Sequence, residues 1–189
     1  TGLYAYARQP ESVFWALQQL GSALSLICGE EALVEALNAF PPAYRAELQT
    51  AFLARLGVEN QDAEKDEALI RAALAFLRES QAPWEAFFFD HFCGRAPARL
   101  DAHEGDSYRA FAELLSNYKS VRPERLKHAY FERAEPVHIT IDVMEAAWSP
   151  IHERDDWTDF HALLDDIAEA RQGYDLGRGH AGFLAGDEG

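Results

Sequence analysis

Three features of the chain point to an all-α protein. Apolar residues return every three or four positions in successive stretches from Val13 to Ile167, the period of an amphipathic helix. Proline and glycine fall between these stretches, where helices start and stop. No alternating strand pattern of useful length occurs; Val137–Ile141 is the one short candidate. The expected architecture is an irregular helical bundle of about eight to nine helices in two layers, with no significant sheet.

The first helix organises the reading. In the segment from Tyr4 to Cys28, YAYARQPESVFWALQQLGSALSLIC, Pro10 suits a first helical position and Glu11 complements the helix dipole. Val13, Phe14, Leu17, Leu20, Leu24, Ile27 and Cys28 follow at helical spacing. Burying each large side chain contributes roughly 1.5–3 kcal/mol, so this face is expected to anchor a core, with Cys28 as a small buried hydrophobe.

After Gly29, Glu30 and Glu31 open a short helix with Leu33, Val34 and Leu37 inward, ending near Phe40. Pro41-Pro42 are expected to break it and start another, with Tyr44, Leu48, Phe52 and Leu56 on its face and Gly57 as its stop. Glu59–Lys65 reads as a loop, and Asp66 as the opening of a helix carrying Leu69, Ile70, Ala73, Leu74 and Leu77. Pro83 marks the start of an aromatic helix with Trp84, Phe87, Phe88 and Phe92. Phe87, Phe88 and Phe89 in a row must spread around such a helix, so one of them faces a further element or a missing partner. Tyr108 to Tyr118 resume the helical period, and Pro123 starts a short helix towards Tyr130. Thr140 can cap a helix bearing Val143, Met144, Ala147 and Trp148 that Pro150 bends or ends. Asp155 or Asp156 can cap a last one bearing Trp157, Phe160, Leu163, Leu164 and Ile167, with Gly173 as its end. The expected organisation is a helical bundle over 1–93, a connection over 94–106, a second helical layer over 107–172 and a mobile glycine-rich tail over 173–189. Its expected core includes Phe14, Leu17, Leu20, Leu24, Phe52, Leu74, Leu77, Phe88 and Trp157.

With 189 residues the chain can bury a real core. It has no run of about 18 apolar residues that could span a bilayer. A formal charge of −15 argues against nucleic-acid and anionic-membrane partners, which need clustered Lys and Arg. Two cysteines, Cys28 and Cys93, are too few for a disulfide framework, so a reducing, cytoplasmic location is expected.

The order of residues resembles the selenoprotein O family, also called YdiU or UPF0061. The likeness is carried by the aromatic-Ala-aromatic run before Gln9-Pro10, by Trp15 and Leu17, by Leu33–Phe40, by Arg55-Leu56-Gly57-Val58 and by Asp66-Glu67-Ala68-Leu69-Ile70. It becomes patchy around Trp84–Phe92. Arg8 and Ala16 stand where the family usually has Asn, and the Cys or selenocysteine near the family's C-terminus has no counterpart after Cys93. Trp148–Trp157 looks like the ending of a bacterial branch. The resemblance implies the C-terminal helical part of a kinase-like protein that moves AMP from ATP to protein hydroxyls. ATP and Mg are then expected for the parent protein, and this part's partners would be the parent's N-terminal kinase-like lobe and the protein substrate. Thr1, in place of an initiator Met, fits an excised piece.

Within this chain no catalytic, cofactor-binding or metal residues are assigned. A kinase-like site needs a glycine-rich loop, a Lys–Glu pair and an Asp and Asn for metals. Gly-Arg-Gly-His at 177–180 lacks the strand–helix setting of a phosphate loop, and Lys65, Lys119 and Lys127 read as solvated surface. His91, Cys93 and His103, with Asp90, Glu104 and Asp106 nearby, could supply metal ligands, but in no familiar spacing; the reading preferred is a plain helix end with His91 exposed and Cys93 packed or idle. His152-Glu153 lacks the second histidine of a metalloprotease helix. Three readings follow: a supporting or substrate-docking region of an AMP-transferase, a stand-alone helical interaction module, or a metal-dependent hydrolase of the helical-bundle kind.

Overall fold

The computed structural model describes residues 8–95 and 105–175. Tyr4 to Ala7, residues 96–104 of the expected connection and residues 176–189 of the expected tail lie outside the described residues. Seven α-helices are described: α1 (Gln9–Leu24), α2 (Glu30–Leu56), α3 (Ala63–Ser80), α4 (Trp84–His91), α5 (Asp106–Leu115), α6 (Ile141–Arg154) and α7 (Thr158–Tyr174). The only extended pairing among the described residues is an isolated antiparallel bridge between Val58 and Ser120. The all-α class therefore holds, with fewer helices than the eight to nine expected.

Two departures account for the smaller count. Pro41 and Pro42 do not divide α2, which runs through both. Each proline removes an amide donor, but both rings are exposed, so water can reach the carbonyls they release. The segment after Pro123 forms two 3-10 turns, Pro123–Lys127 and Ala129–Glu132, in place of a helix. Pro150 likewise sits inside α6.

The chain divides into two compact units, Thr1–Thr50 and Ala51–Gly189. In the first, the Phe14 ring stacks on Phe40 at 5.9 Å, and Gly21 lets Leu37 of α2 come close. Glu11 in the first turn of α1 is bridged by Arg8 at 2.8 Å. The organising role expected of α1 is not observed. None of its residues is buried; Phe14, Leu17 and Leu24 are half-buried and Leu20 is 54% exposed. The helix stops at Leu24 because Ser25 turns its hydroxyl onto the Ser22 carbonyl at 2.8 Å, a local bond that competes with the helix ladder. Leu26, Ile27 and Cys28 lie beyond it, all exposed, so Cys28 is not a buried hydrophobe.

The second unit holds the core. Phe52, Leu53 and Leu56 from the end of α2 meet Leu69, Ala73, Phe76 and Leu77 of α3, Phe87 and Phe88 of α4, and Phe111 and Leu115 of α5. α5 packs on α3, so the helix after residue 106 joins this first cluster and the expected two-layer division does not hold. A second cluster unites Phe89, Phe92 and Cys93 with Tyr130, Phe131 and Tyr174. Of the expected core, Phe52, Leu77 and Phe88 are buried, whereas Leu74 within α3 and Trp157 at the start of α7 are exposed.

Helix ends are closed by identifiable groups. Asp62 caps α3 by accepting from the Lys65 amide at 3.0 Å, one turn earlier than the start expected at Asp66. Asp66 is instead buried inside the helix, accepting from Tyr118 Oη at 2.9 Å and the Gln61 amide at 3.1 Å. Arg122 donates to the carbonyl of Ala54 at the end of α2 at 3.3 Å, and to that of Asp175. Arg125 donates to Gln172 O near the end of α7 at 2.8 Å. Two cations thus satisfy helix C-termini, where the dipole favours them.

Gly57 has φ +68, and a Cβ there would lie 2.7 Å from Cys93 Sγ and 2.8 Å from Phe92. It stops α2, as expected, and also admits α4's end. Gly173 was expected to terminate the last helix; it lies within α7 and is buried, where an added Cβ would stand 2.8 Å from Tyr130 Cβ. Its role is close approach.

Phe87→Ala should lower unfolding free energy by about 3–5 kcal/mol, and Leu20→Ala by under about 1 kcal/mol, in urea denaturation. Gly173→Ala should cost about 1–3 kcal/mol by overpacking Tyr130, read in the same assay.

Candidate functional site

His91 and Cys93 come from adjacent turns but are drawn into different clusters. His91 is buried rather than exposed, with Nδ1 2.7 Å from the Phe87 carbonyl oxygen and its ring edge-on to Phe111 at 5.1 Å. Cys93 packs in the second cluster with Phe89 and Phe92. Asp106 is exposed in the first turn of α5, and His103 and Glu104 lie outside the described residues, as does Gly-Arg-Gly-His at 177–180. Among the described residues no three His, Cys, Asp or Glu side chains gather as metal ligands would.

The acidic stretch around His152 shapes a turn. Asp155, in the left-handed region at the end of α6, accepts from Trp157 Nε1 at 2.9 Å. Asp156 accepts from the Thr158 amide at 3.1 Å and Arg154 Nε at 3.2 Å, which closes the start of α7. Asp156, of the two caps expected, is the one that reaches the α7 backbone. Lys65 pairs with Asp62 at 2.8 Å on the surface.

Two clefts open among the described residues of the second unit. One, of about 400 Å³, lies beside the α3–α4 connection and is lined by Phe76, Pro83, Phe87, Asp90, Glu135 and His138. The other, of about 330 Å³, is bordered by Arg55, Glu85, Tyr130, His138, Arg171 and Tyr174. Arg55 is fixed in three ways there: a 2.7 Å ion pair with Glu85, its guanidinium 4.7 Å from the centre of the Phe88 ring, and a second ring, Tyr174, at 5.7 Å. Tyr130 Oη accepts from the Val137 amide at 3.2 Å, which ties the extended segment 136–140 across the cleft. Arg171 has no ion-pair partner among the described residues.

Burial pushes the Tyr174 phenol far above its ordinary value, and it raises Tyr130 as well. Both stay protonated through the neutral range. The cleft accordingly offers fixed donors and apolar walls, the makings of a binding surface rather than of a proton-transfer pair.

Sequence reasoning missed Arg55–Glu85, Asp66–Tyr118 and Tyr130–Tyr174 because whole helices lie between the members of each pair, and no local pattern links residues so far apart. The available signals were Arg55 and Asp66 themselves, which stand at the heads of the two blocks that resemble the selenoprotein O family.

Comparison with known proteins agrees with those blocks. The family described as protein adenylyltransferase SelO matches residues 1–168. The protein nucleotidyltransferase YdiU of Trichormus variabilis is 25% identical over 186 residues, covering 88% of this chain and 38% of that protein. Its counterpart from Myxococcus xanthus is 30% identical over 153 residues, 73% of this chain and 30% of its own length. That from Ectopseudomonas mendocina is 32% identical over 98 residues, 52% and 20% respectively. The chain spans less than two-fifths of the length of these relatives. No solved structure matches it.

Arg55→Ala should destabilise the chain by about 1–3 kcal/mol, since it strips a charged hydrogen bond from half-buried Glu85 and a cation from Phe88. Urea melts of the variant and of Glu85→Gln check this. The raised phenols set a pH dependence. The fold holds Tyr118, Tyr130 and Tyr174 neutral, so their contribution is fully present below a pH of about 10 and is lost as pH rises from there towards their folded values. Tm measured from pH 8 upwards should stay level and then fall above about 10, less steeply in Tyr174→Phe.

Proposed function

Because the chain belongs to the protein adenylyltransferase SelO family, we propose that it is the C-terminal helical region of a protein that transfers AMP from ATP to protein hydroxyl groups. The single observation that carries this reading is the family match over residues 1–168, with relatives named protein nucleotidyltransferases that extend well beyond the part shared with this chain. In this proposal ATP and Mg bind the kinase-like lobe of the parent protein in the cytoplasm, and the helical region supports that lobe and helps to dock the protein substrate. No residue of this chain is assigned to the transfer step.

Two features of the chain support a supporting role. The first unit leaves Val13, Trp15, Leu20, Leu26 and Ile27 exposed, and between Gln9 and Cys28 the only charged residue is Glu11. An apolar, nearly charge-free surface of this kind suits a permanent interface, the parent's own lobe being the proposed partner. The second unit has its own core, beside which two clefts offer surface for a docked substrate. No helix among the described residues is long and apolar enough to cross a membrane.

The full-length parent should label a generic protein acceptor with AMP from radiolabelled ATP in the presence of Mg. Titration calorimetry of the 189-residue chain against Mg–ATP should give no heat of binding. One-site micromolar binding to this chain would place the nucleotide here and overturn the division of labour.

A further inference from the structure

α6 carries an apolar stripe that no described residue covers. Ile141, Met144 and Trp148 recur at i, i+3 and i+7, which puts them on one side of the helix. All three are exposed, Ile141 at 70% and Trp148 at 58%. The buried residues of the same helix, Ala147 and Pro150, lie on the side next to the stripe, beyond Met144. Beyond the turn Trp157 is also exposed, its indole held by Asp155.

Charge separates this face from the exposed face of α1. Residues 141–169 carry nine carboxylates against one arginine. Asp166 and Glu169 are taken by Arg133, and Glu153 and Asp156 by Arg154. Asp142, Glu145, Asp155, Asp159 and Asp165 have no cationic partner among the described residues. Glu145 stands four residues after Ile141 and three before Trp148, on the edge of the stripe itself, with Asp142 one turn behind it. A permanent apolar interface is depleted of charge at its centre; a stripe edged by uncompensated carboxylates fits a partner that brings cations and leaves again.

We propose that the Ile141–Met144–Trp148 face of α6 docks a basic amphipathic helix of the protein substrate, whose apolar side chains rest on Met144 and Trp148 while its Lys and Arg meet Glu145 and Asp142. The assignment of that helix to a substrate rests on the AMP-transferase reading; the recognition chemistry stands on α6 alone. Methionine adapts its shape to varied apolar partners and tryptophan supplies a large anchor, so the face suits a class of sequences rather than one peptide.

Fluorescence anisotropy with a fluorescein-labelled amphipathic helical peptide of leucine and lysine, titrated with the 189-residue chain, tests this. Binding should weaken about tenfold or more in Trp148→Ala, which removes the apolar anchor, and by a comparable factor in Asp142→Asn/Glu145→Gln, which removes the two charges that meet the peptide's cations. It should also weaken as salt rises past about 0.1 M, where the screening length falls to about 10 Å. The control Glu30→Gln/Glu31→Gln removes the same charge from α2 and should change affinity by less than about twofold. All of these positions are exposed, and unchanged Tm values will show that the variants are intact. No binding, equal weakening by the control, or no effect of Trp148→Ala overturns the proposal. So does a concentration-dependent dimer in sedimentation that Trp148→Ala abolishes, since a second copy would then cover the face. The AMP-labelling assay on the full-length parent is separate. Labelling without peptide docking sinks this inference alone, and docking without labelling sinks the AMP-transferase reading alone.

Discussion

The second unit depends on one short aromatic helix that has no side to show to water. Of α4's eight residues, Ala86, Phe87, Phe88, Phe89, Asp90 and His91 are buried, and Phe92 and Cys93 continue the run. Three consecutive phenylalanines spread around a helix have to be enclosed on more than one side. Phe87 and Phe88 draw α3, α5 and the end of α2 to one side, while Phe89 and Phe92 draw the 3-10 turns and α7 to the other. The two clusters are therefore not separate cores. They are the two halves of one helix's surroundings, and the loops carrying Arg122 and Arg125 are fixed where they must be to complete the second half.

That arrangement explains how much could be read in advance. The all-α class, the start of α4 after Pro83 and the spread of three consecutive phenylalanines followed from period and from local proline chemistry, and Phe89 does face a further element. Local rules failed where the surroundings outvote them. A proline pair forecasts a break, yet exposure of Pro41 and Pro42 leaves the freed carbonyls to water and the helix continues. A glycine near a helix end forecasts a stop, yet Gly173 is selected by the ring of Tyr130 across from it. Amphipathic period identified α1 as a helix but could not say whether a partner for its apolar face lies within the described chain. The pairs around the clefts were hidden for a related reason: Arg55 with Glu85 and Asp66 with Tyr118 are 30 and 52 residues apart.

The exposed apolar surfaces divide by their charge, and this division ties structure to function more closely than any single cleft does. On α1 the apolar residues have almost no charged neighbours in sequence. On α6 they are edged by carboxylates that remain uncompensated among the described residues. Surfaces of the first kind suit association that is never reversed, and those of the second kind suit association that responds to salt and to the partner's charge. In a protein of net charge −15, encounter with basic segments is favoured well before contact.

The unequal setting of the two sulfurs has a practical consequence. Cys28 stands open to solvent, whereas Cys93 Sγ is sealed behind Gly57 in a site too tight for one extra carbon. In the native state a thiol reagent of ordinary size can therefore reach only the first. Reaction at the second requires the seam between the end of α2 and the end of α4 to part, so the rate of double alkylation times the opening of the aromatic core. The molecule carries its own clock for that event, and Cys28, reacting at once, marks its zero.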